Sequence, residues 1–234
     1  MRIEKHPVFL KDYYVAKRYD CSFRKLARQT VTDEKVVLEA GCGKRTVIGE
    51  EGLKSKRTIG AEVTLEDLTM NTGVDDKVVA ALDNLPFKSD VFDMVICRNV
   101  VEHLEEPEAV FSEFNRTLKR RGLVLIRTPN LTNPIGFVSA ILPLNVRIWV
   151  KRHLFHDEEG DTFPTYFKCN TGQRLENAFG ATGLTLRFIQ YDGLMAYFNF
   201  SSILLSFIVL FERITEVHKL RWLKMFIIAA FEKS

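Results

Sequence analysis

Two carboxylates and two glycines near the start of the chain have the types and spacing needed to hold a nucleotide-like ligand. Glu39 closes the apolar run Val36-Val37-Leu38 and is followed by Gly41-Cys42-Gly43. Glu62 closes a second apolar run, Thr58-Ile59-Gly60-Ala61, about 20 residues further on, where a ribose-binding acid is expected after a glycine-rich turn. A carboxylate placed there can accept hydrogen bonds from both ribose hydroxyls. The glycines let the backbone turn sharply and come close to a ligand. A Gly-x-Gly turn alone occurs by chance, and Glu62 alone reads as a solvated acid at a strand end. The interval between them favours a ligand.

These residues need a scaffold of strands. Val36 to Leu38 reads as a buried parallel strand, a continuous apolar run. Strand, glycine turn and helix in that order form the nucleotide-binding half of a doubly wound α/β fold. Further strand cores follow at Val91-Phe92-Asp93-Met94-Val95-Ile96-Cys97 and at Leu123-Val124-Leu125-Ile126. Thr171 is placed to cap a helix running to Phe179, closed by Gly180 or Gly183. Leu184, Leu186 and Phe188 alternate with polar residues at the period of a strand. Trp222 to Phe231 reads as the last strand, and Val8 to Thr30 as N-terminal helix capping the cleft or packing on the core.

The blocks VLEAGCG, the acid of IGAEV, NLPF followed by VFDMVICRNVVEHLEEPE, and EFNRTLKRRGLVLIRTPN resemble the class I S-adenosylmethionine-dependent methyltransferases of type 11. The resemblance runs from Val36 to Asn130. It implies a Rossmann-like, doubly wound α/β sheet of about seven strands, the last antiparallel, with helices on both faces. It also implies S-adenosylmethionine as cofactor. Glu39, Gly41, Cys42 and Gly43 would then meet the amino-methionine end, Glu62 and Val63 the ribose, Leu82 and Asp83 the adenine, and Cys97 and Arg98 the region of the methyl group. Three positions depart from the family: Lys44-Arg45-Thr46 stands where a third glycine is common, Ala81 where an acid usually holds the adenine amino group, and Lys119-Arg120-Arg121-Gly122 where Lys-Pro-Gly is usual. Asp83, or backbone near Leu82, is expected to take over the adenine contact.

An activated sulfonium methyl requires mainly alignment of a nucleophile and exclusion of water. A base is required only where the nucleophile must lose a proton. His103 is the candidate base. If a helix begins at Asn99, the two residues share a face at i and i+4. The alternative is that the Glu-His pair only fixes a helix start. Residues 134–170 leave the sheet at its carboxyl edge, where ligands bind in such folds. Long connections of this kind are commonly lids or binding loops. Asn99, Phe163 and Tyr166 are therefore the substrate-side candidates.

Composition narrows the classes. The chain has 234 residues, enough for a single domain with elaborations, and a formal net charge of +3 with 33 bases against 30 acids. That near balance offers no electrostatic case for nucleic acid. Four scattered cysteines without a Cys-x-x-Cys pair argue against zinc or disulfides and fit a reducing, cytoplasmic setting. No metal is expected; His153, His156 and Asp157 read as polar surface. The N-terminus lacks the apolar core of a targeting peptide. Leu194 to Phe211 is uncharged. Placed between two strands of one sheet, it is expected as a helical insertion over 194–218 that lies on a membrane surface, contacts a partner chain or walls an apolar cleft, rather than crossing a bilayer. The expected function is methyl transfer to a small-molecule, lipid-linked or glycan-type acceptor, with peripheral membrane contact. A non-catalytic scaffold at a membrane and an NAD-type oxidoreductase are the competing readings.

Overall fold

Strands buried on both faces must send apolar side chains both ways, and the central strands do so. The computed structural model describes residues 22–143, 145–146, 163–193 and 202–234. In it, β1 (Val36–Ala40), β2 (Arg57–Glu62), β3 (Asp76–Val79), β4 (Phe92–Arg98), β5 (Leu118–Pro129), β6 (Leu184–Asp192) and β7 (Phe226–Lys233) form one seven-stranded sheet. The strand order is β3-β2-β1-β4-β5-β7-β6. The first five strands run parallel, and β7 is antiparallel to both neighbours. This is the Rossmann-like architecture, with the last strand reversed, that the family resemblance implies.

The described helices are α1 (Ser22–Thr30), α2 (Val47–Glu51), α3 (Leu65–Met70), α4 (Pro107–Thr117), α5 (Pro134–Ile141), α6 (Gly172–Ala181) and α7 (Ser202–Ile214). Alternation along the strands divides the core between the two faces. Val37, Met94, Ile96, Leu125 and Ile228 pack against Phe23 and Ala27 of α1 and Val47 and Ile48 of α2. Leu38, Val95, Val124, Ile126 and Ile227 pack against Phe111 and Phe114 of α4 and Phe179 of α6. Phe179 is stacked between Phe111 and Phe231, with ring centroids 3.7 and 4.0 Å away. Thr171 caps α6 by accepting from the Arg174 amide, and Gly183 takes the left-handed turn beyond the helix.

Two expectations change, and one strand not located in the sequence appears. The strand β3 is an edge strand of four residues that carries Asp76 and Lys77, so it lacks an apolar run to betray it. The last strand begins at Phe226, not Trp222. Residues His218–Leu223 form a 3-10 helix, and side chains at the end of β5 claim the carbonyls of 222–224. Asn130 donates to the Trp222 and Lys224 carbonyls, both at 2.7 Å, and Asn133 donates to that of Leu223 at 2.7 Å. No helix begins at Asn99. That residue has φ 57°, in the left-handed region, and only Val101–His103 forms a 3-10 turn. Of the expected N-terminal helix, Ser22–Thr30 is described and helical; the remainder, with Cys21, His153, His156, Asp157 and residues 194–201, lies outside the described residues.

Because both faces of Phe179 are stacked, Phe179→Ala should cost about 3–5 kcal/mol, the range for removing a buried aromatic ring. Urea unfolding followed by circular dichroism checks this; a loss below about 1 kcal/mol would mean that the stack is not a packing centre.

Candidate cofactor and acceptor site

The turn after β1 is held from below by carboxylates and an amide side chain. Glu39 points to the α2 face, where its Oε1 accepts from the Ile48 amide at 3.0 Å. The residue is 3% exposed, and burial pushes its carboxyl up to about 7, against the lowering effects of the Ile48 amide and Arg98. The Gly41 and Cys42 amides reach the Ala61 carbonyl at 2.9 and 3.2 Å, seating the turn on the end of β2. Glu62 Oε2 accepts from the Gly43 amide at 2.9 Å, and its Oε1 from the Val63 amide at 2.8 Å. Each oxygen keeps a lone pair for a ribose hydroxyl.

Asn71, not singled out in the sequence, and Thr46, noted there only as a departure from glycine, lock this turn. Asn71, fully buried, donates to the Gly43 carbonyl at 2.8 Å and accepts from the Gly73 amide at 2.8 Å. Thr46, at the position of the missing third glycine, accepts from the Gly49 amide as the N-cap of α2 and donates to the Gly73 carbonyl at 3.2 Å. The departure at Thr46 thus supplies a helix cap. A bare Asn in a loop looks solvated in sequence, and Thr46 reads there only as a lost glycine.

The turn also has the shape of a cradle. A Cβ at Gly41 would meet Val100 Cγ2 at 2.5 Å, whereas one at Gly43 would enter open space, with both glycines at positive φ. Arg98 does not reach into that space: it donates to Glu50 at 2.6 Å and to the Arg45 carbonyl at 3.2 Å, tying the end of β4 to α2. Cys97 is wholly buried and Cys42 nearly so, and burial raises both thiols, Cys42 to about 12, so both are packing residues rather than nucleophiles. Leu82 is buried beside an exposed Ala81 and Asp83, and Val63 is half exposed. The open space over Gly43, the lone pairs of Glu62 and the free edge at Asp83 fit an adenosyl group.

The residues expected on the acceptor side assemble around the turn after β4. His103 Nδ1 lies 2.8 Å from the Pro164 carbonyl, and its ring meets Phe163 edge-on, with centroids 6.2 Å apart. A carbonyl only accepts, so Nδ1 carries the proton and, in the neutral ring, Nε2 carries the lone pair. The Tyr166 and Phe167 amides donate to the Glu102 carbonyl at 2.8 and 3.2 Å. The buried Glu102 carboxyl, raised by desolvation, accepts from Thr128, which accepts from Asn170 at 2.7 Å. His103, Phe163 and Tyr166 are therefore brought together. Asn99 faces elsewhere, accepting from Arg127 at 2.7 Å. Among the described residues no cluster suited to a metal ion occurs.

Residues 38–126 match the family described as a methyltransferase domain, type 11. An uncharacterised protein of Methanocaldococcus jannaschii is 33% identical over 95 residues, covering 41% of each chain. A ubiquinone biosynthesis O-methyltransferase of Pseudomonas syringae is 26% identical over 116 residues, covering 46% of this chain and 50% of its own. The chain spans about half the length of the curated relatives it matches. A SAM-dependent methyltransferase structure from Thermotoga maritima superposes with a TM-score of 0.58 at 13% identity, covering 96% of this chain and 94% of its own, a likeness of fold. The methyltransferase-domain match thus spans β1 to β5 and the glycine turn between β1 and α2, and the superposing Thermotoga maritima protein is one named as SAM-dependent.

The raised carboxyl of Glu39 makes stability depend on pH. Between its ordinary value of 4.5 and about 7, the folded chain keeps a proton that the unfolded chain has lost. Stability should therefore fall as pH rises through that window, by roughly 3 kcal/mol in all, and stay low above it. Glu39→Gln should remove this decline; urea midpoints of both proteins at either end of the window check it, and parallel slopes would contradict it.

Proposed function

We propose that the chain is an S-adenosylmethionine-dependent methyltransferase acting on a small acceptor that is apolar or lipid-linked, and that it works at the membrane periphery. The observation that carries the proposal is the glycine turn opening onto space above Gly43, with Glu62 at its rim. Bound there, S-adenosylmethionine supplies an electrophilic methyl group. Glu62 orients the ribose, Leu82 and Asp83 border the adenine, and the buried Glu39 carboxyl offers negative charge to the amino-methionine end. Thr46 takes the place of the third glycine that a dinucleotide turn wants, which disfavours an NAD-type oxidoreductase.

His103 is proposed to take the acceptor's proton. Its Nδ1–H is spent on Pro164, which leaves Nε2 as the base. Phe163 and Tyr166, about 37% and 41% exposed, offer apolar surface beside it. Support for an apolar acceptor comes from the relative named for ubiquinone biosynthesis and from apolar surface on α5 and α7. A membrane-bound scaffold without transfer activity is the alternative, favoured by Ala81 standing in place of the usual acid and by Arg45 in the glycine turn.

The test follows label from S-adenosyl-[methyl-14C]methionine into organic-soluble phenols and lipid-linked glycans. The expected result is labelled product from wild type, with His103→Ala lowering kcat by about 10²–10⁴-fold and leaving the KM for cofactor unchanged. Glu62→Ala should instead weaken cofactor binding by about 1–3 kcal/mol. Asp83→Ala should also raise the cofactor KM, and Ala81→Asp should hold or lower it. A protein that binds cofactor but labels none of these acceptors would favour the scaffold.

A further inference from the structure

Helix α7 is apolar on both sides. Leu205, Ile208 and Val209 face inward and are buried, and Glu212 on the same side pairs with Lys224 at 3.2 Å in a buried ion bridge. The opposite stripe, Ile203, Phe207, Leu210 and Ile214, recurs at steps of four, three and four residues and is 75%, 67%, 54% and 49% exposed. A helix that packs on a core needs only the first stripe. Nor is the second stripe isolated. On α5, which carries no charge, Phe137, Val138 and Ile141 are 54%, 51% and 65% exposed.

The two helices are anchored at one place. Asn133 caps α5 and donates to the Leu223 carbonyl, while Glu212 holds Lys224 one residue further on. Trp222 beside them is half exposed. All of this lies at the carboxyl end of β5, the end from which the Gly41–Gly43 turn and Arg98 also project, since β1, β4 and β5 are parallel. Exposed apolar area on this scale marks an interaction surface.

We infer that this face, α5 with the outer stripe of α7 and Trp222, docks the protein on an anionic lipid bilayer, with the cofactor cleft turned toward the lipid. The charge beside the stripe selects that occupant. Arg213, Lys219 and Arg221 stand against Glu216 alone between 213 and 222, and all three bases are exposed. Lys and Arg next to an exposed Trp and an apolar stripe match the interface of an anionic membrane. A symmetric pair of copies would bring these cations face to face. No described helix is long and apolar enough to cross a bilayer, so the contact is in plane. The inference rests on the reading of a peripheral enzyme in the preceding section, and names its surface and lipid chemistry.

The test is co-sedimentation of the full chain with phosphatidylcholine vesicles, with and without phosphatidylglycerol. Phe207→Ser/Leu210→Asn and Lys219→Glu/Arg221→Glu are compared with wild type. Calorimetry with S-adenosylhomocysteine and light scattering are run on each protein. The expected result is salt-sensitive wild-type binding to the anionic vesicles, weakened about tenfold or more by either double substitution, with unchanged heat of S-adenosylhomocysteine binding. Absence of vesicle binding by wild type overturns the inference, as does equal binding to pure phosphatidylcholine. A wild-type dimer that the first double variant dissociates would assign the face to a second copy and overturn it likewise. Loss of ligand heat in wild type would refute the cofactor reading, while vesicle binding is read independently of it.

Discussion

The turn between β1 and α2 carries backbone amide and carbonyl groups with no strand or helix partner, and three polar side chains must satisfy them before a cleft can exist. Glu39 holds the Ile48 amide from below, Glu62 holds that of Gly43 from the rim, and Asn71 grips the Gly43 carbonyl. A buried donor without a partner costs on the order of 1–3 kcal/mol, so these contacts outweigh ordinary surface bonds. Their cost is visible in Glu39, whose carboxyl is pushed up to about 7 by the apolar surroundings that the sheet requires. A cationic ligand above that turn would draw the carboxyl back toward its ionised form. The same group is therefore a burden to the fold that, on the proposed reading, a bound cofactor would relieve.

The candidate acceptor side depends on a second set of buried polar contacts at the end of β5. Asn170, Thr128 and Glu102 form a chain of hydrogen bonds beneath the loop that carries Phe163 and Tyr166. Asn130 and Asn133 fasten residues 222–224 and so fix where β7 begins. Cofactor turn, candidate base and apolar helices consequently share one end of the sheet. That end offers a ligand open backbone and apolar cover together, the setting in which a methyl group can be passed with water kept away.

How much of this is legible in sequence follows from the physics of each element. The strands β1, β2, β4 and β5 announce themselves as apolar runs, because parallel strands are covered on both faces. The strand β3 does not, since an edge strand of four residues tolerates Asp76 and Lys77. The carboxylates Glu39 and Glu62 are legible from their interval to the glycine turn. Asn71, Thr46 and Asn170 are not, because a polar loop residue reads as solvated until its partners, 27 to 42 residues away, are in place. The expected helix at Asn99 fails for a local reason: the left-handed backbone there turns the chain before the 3-10 turn begins. His103 is still brought to Phe163, but by the Pro164 carbonyl and the Glu102 backbone rather than by helical spacing.

Calorimetric titration of the purified chain with S-adenosylhomocysteine, and separately with NAD, tests the central claim most directly. The account predicts saturable, one-to-one binding of S-adenosylhomocysteine and no heat with NAD. Saturable binding of NAD, or no binding of S-adenosylhomocysteine by a chain that unfolds cooperatively, would contradict it.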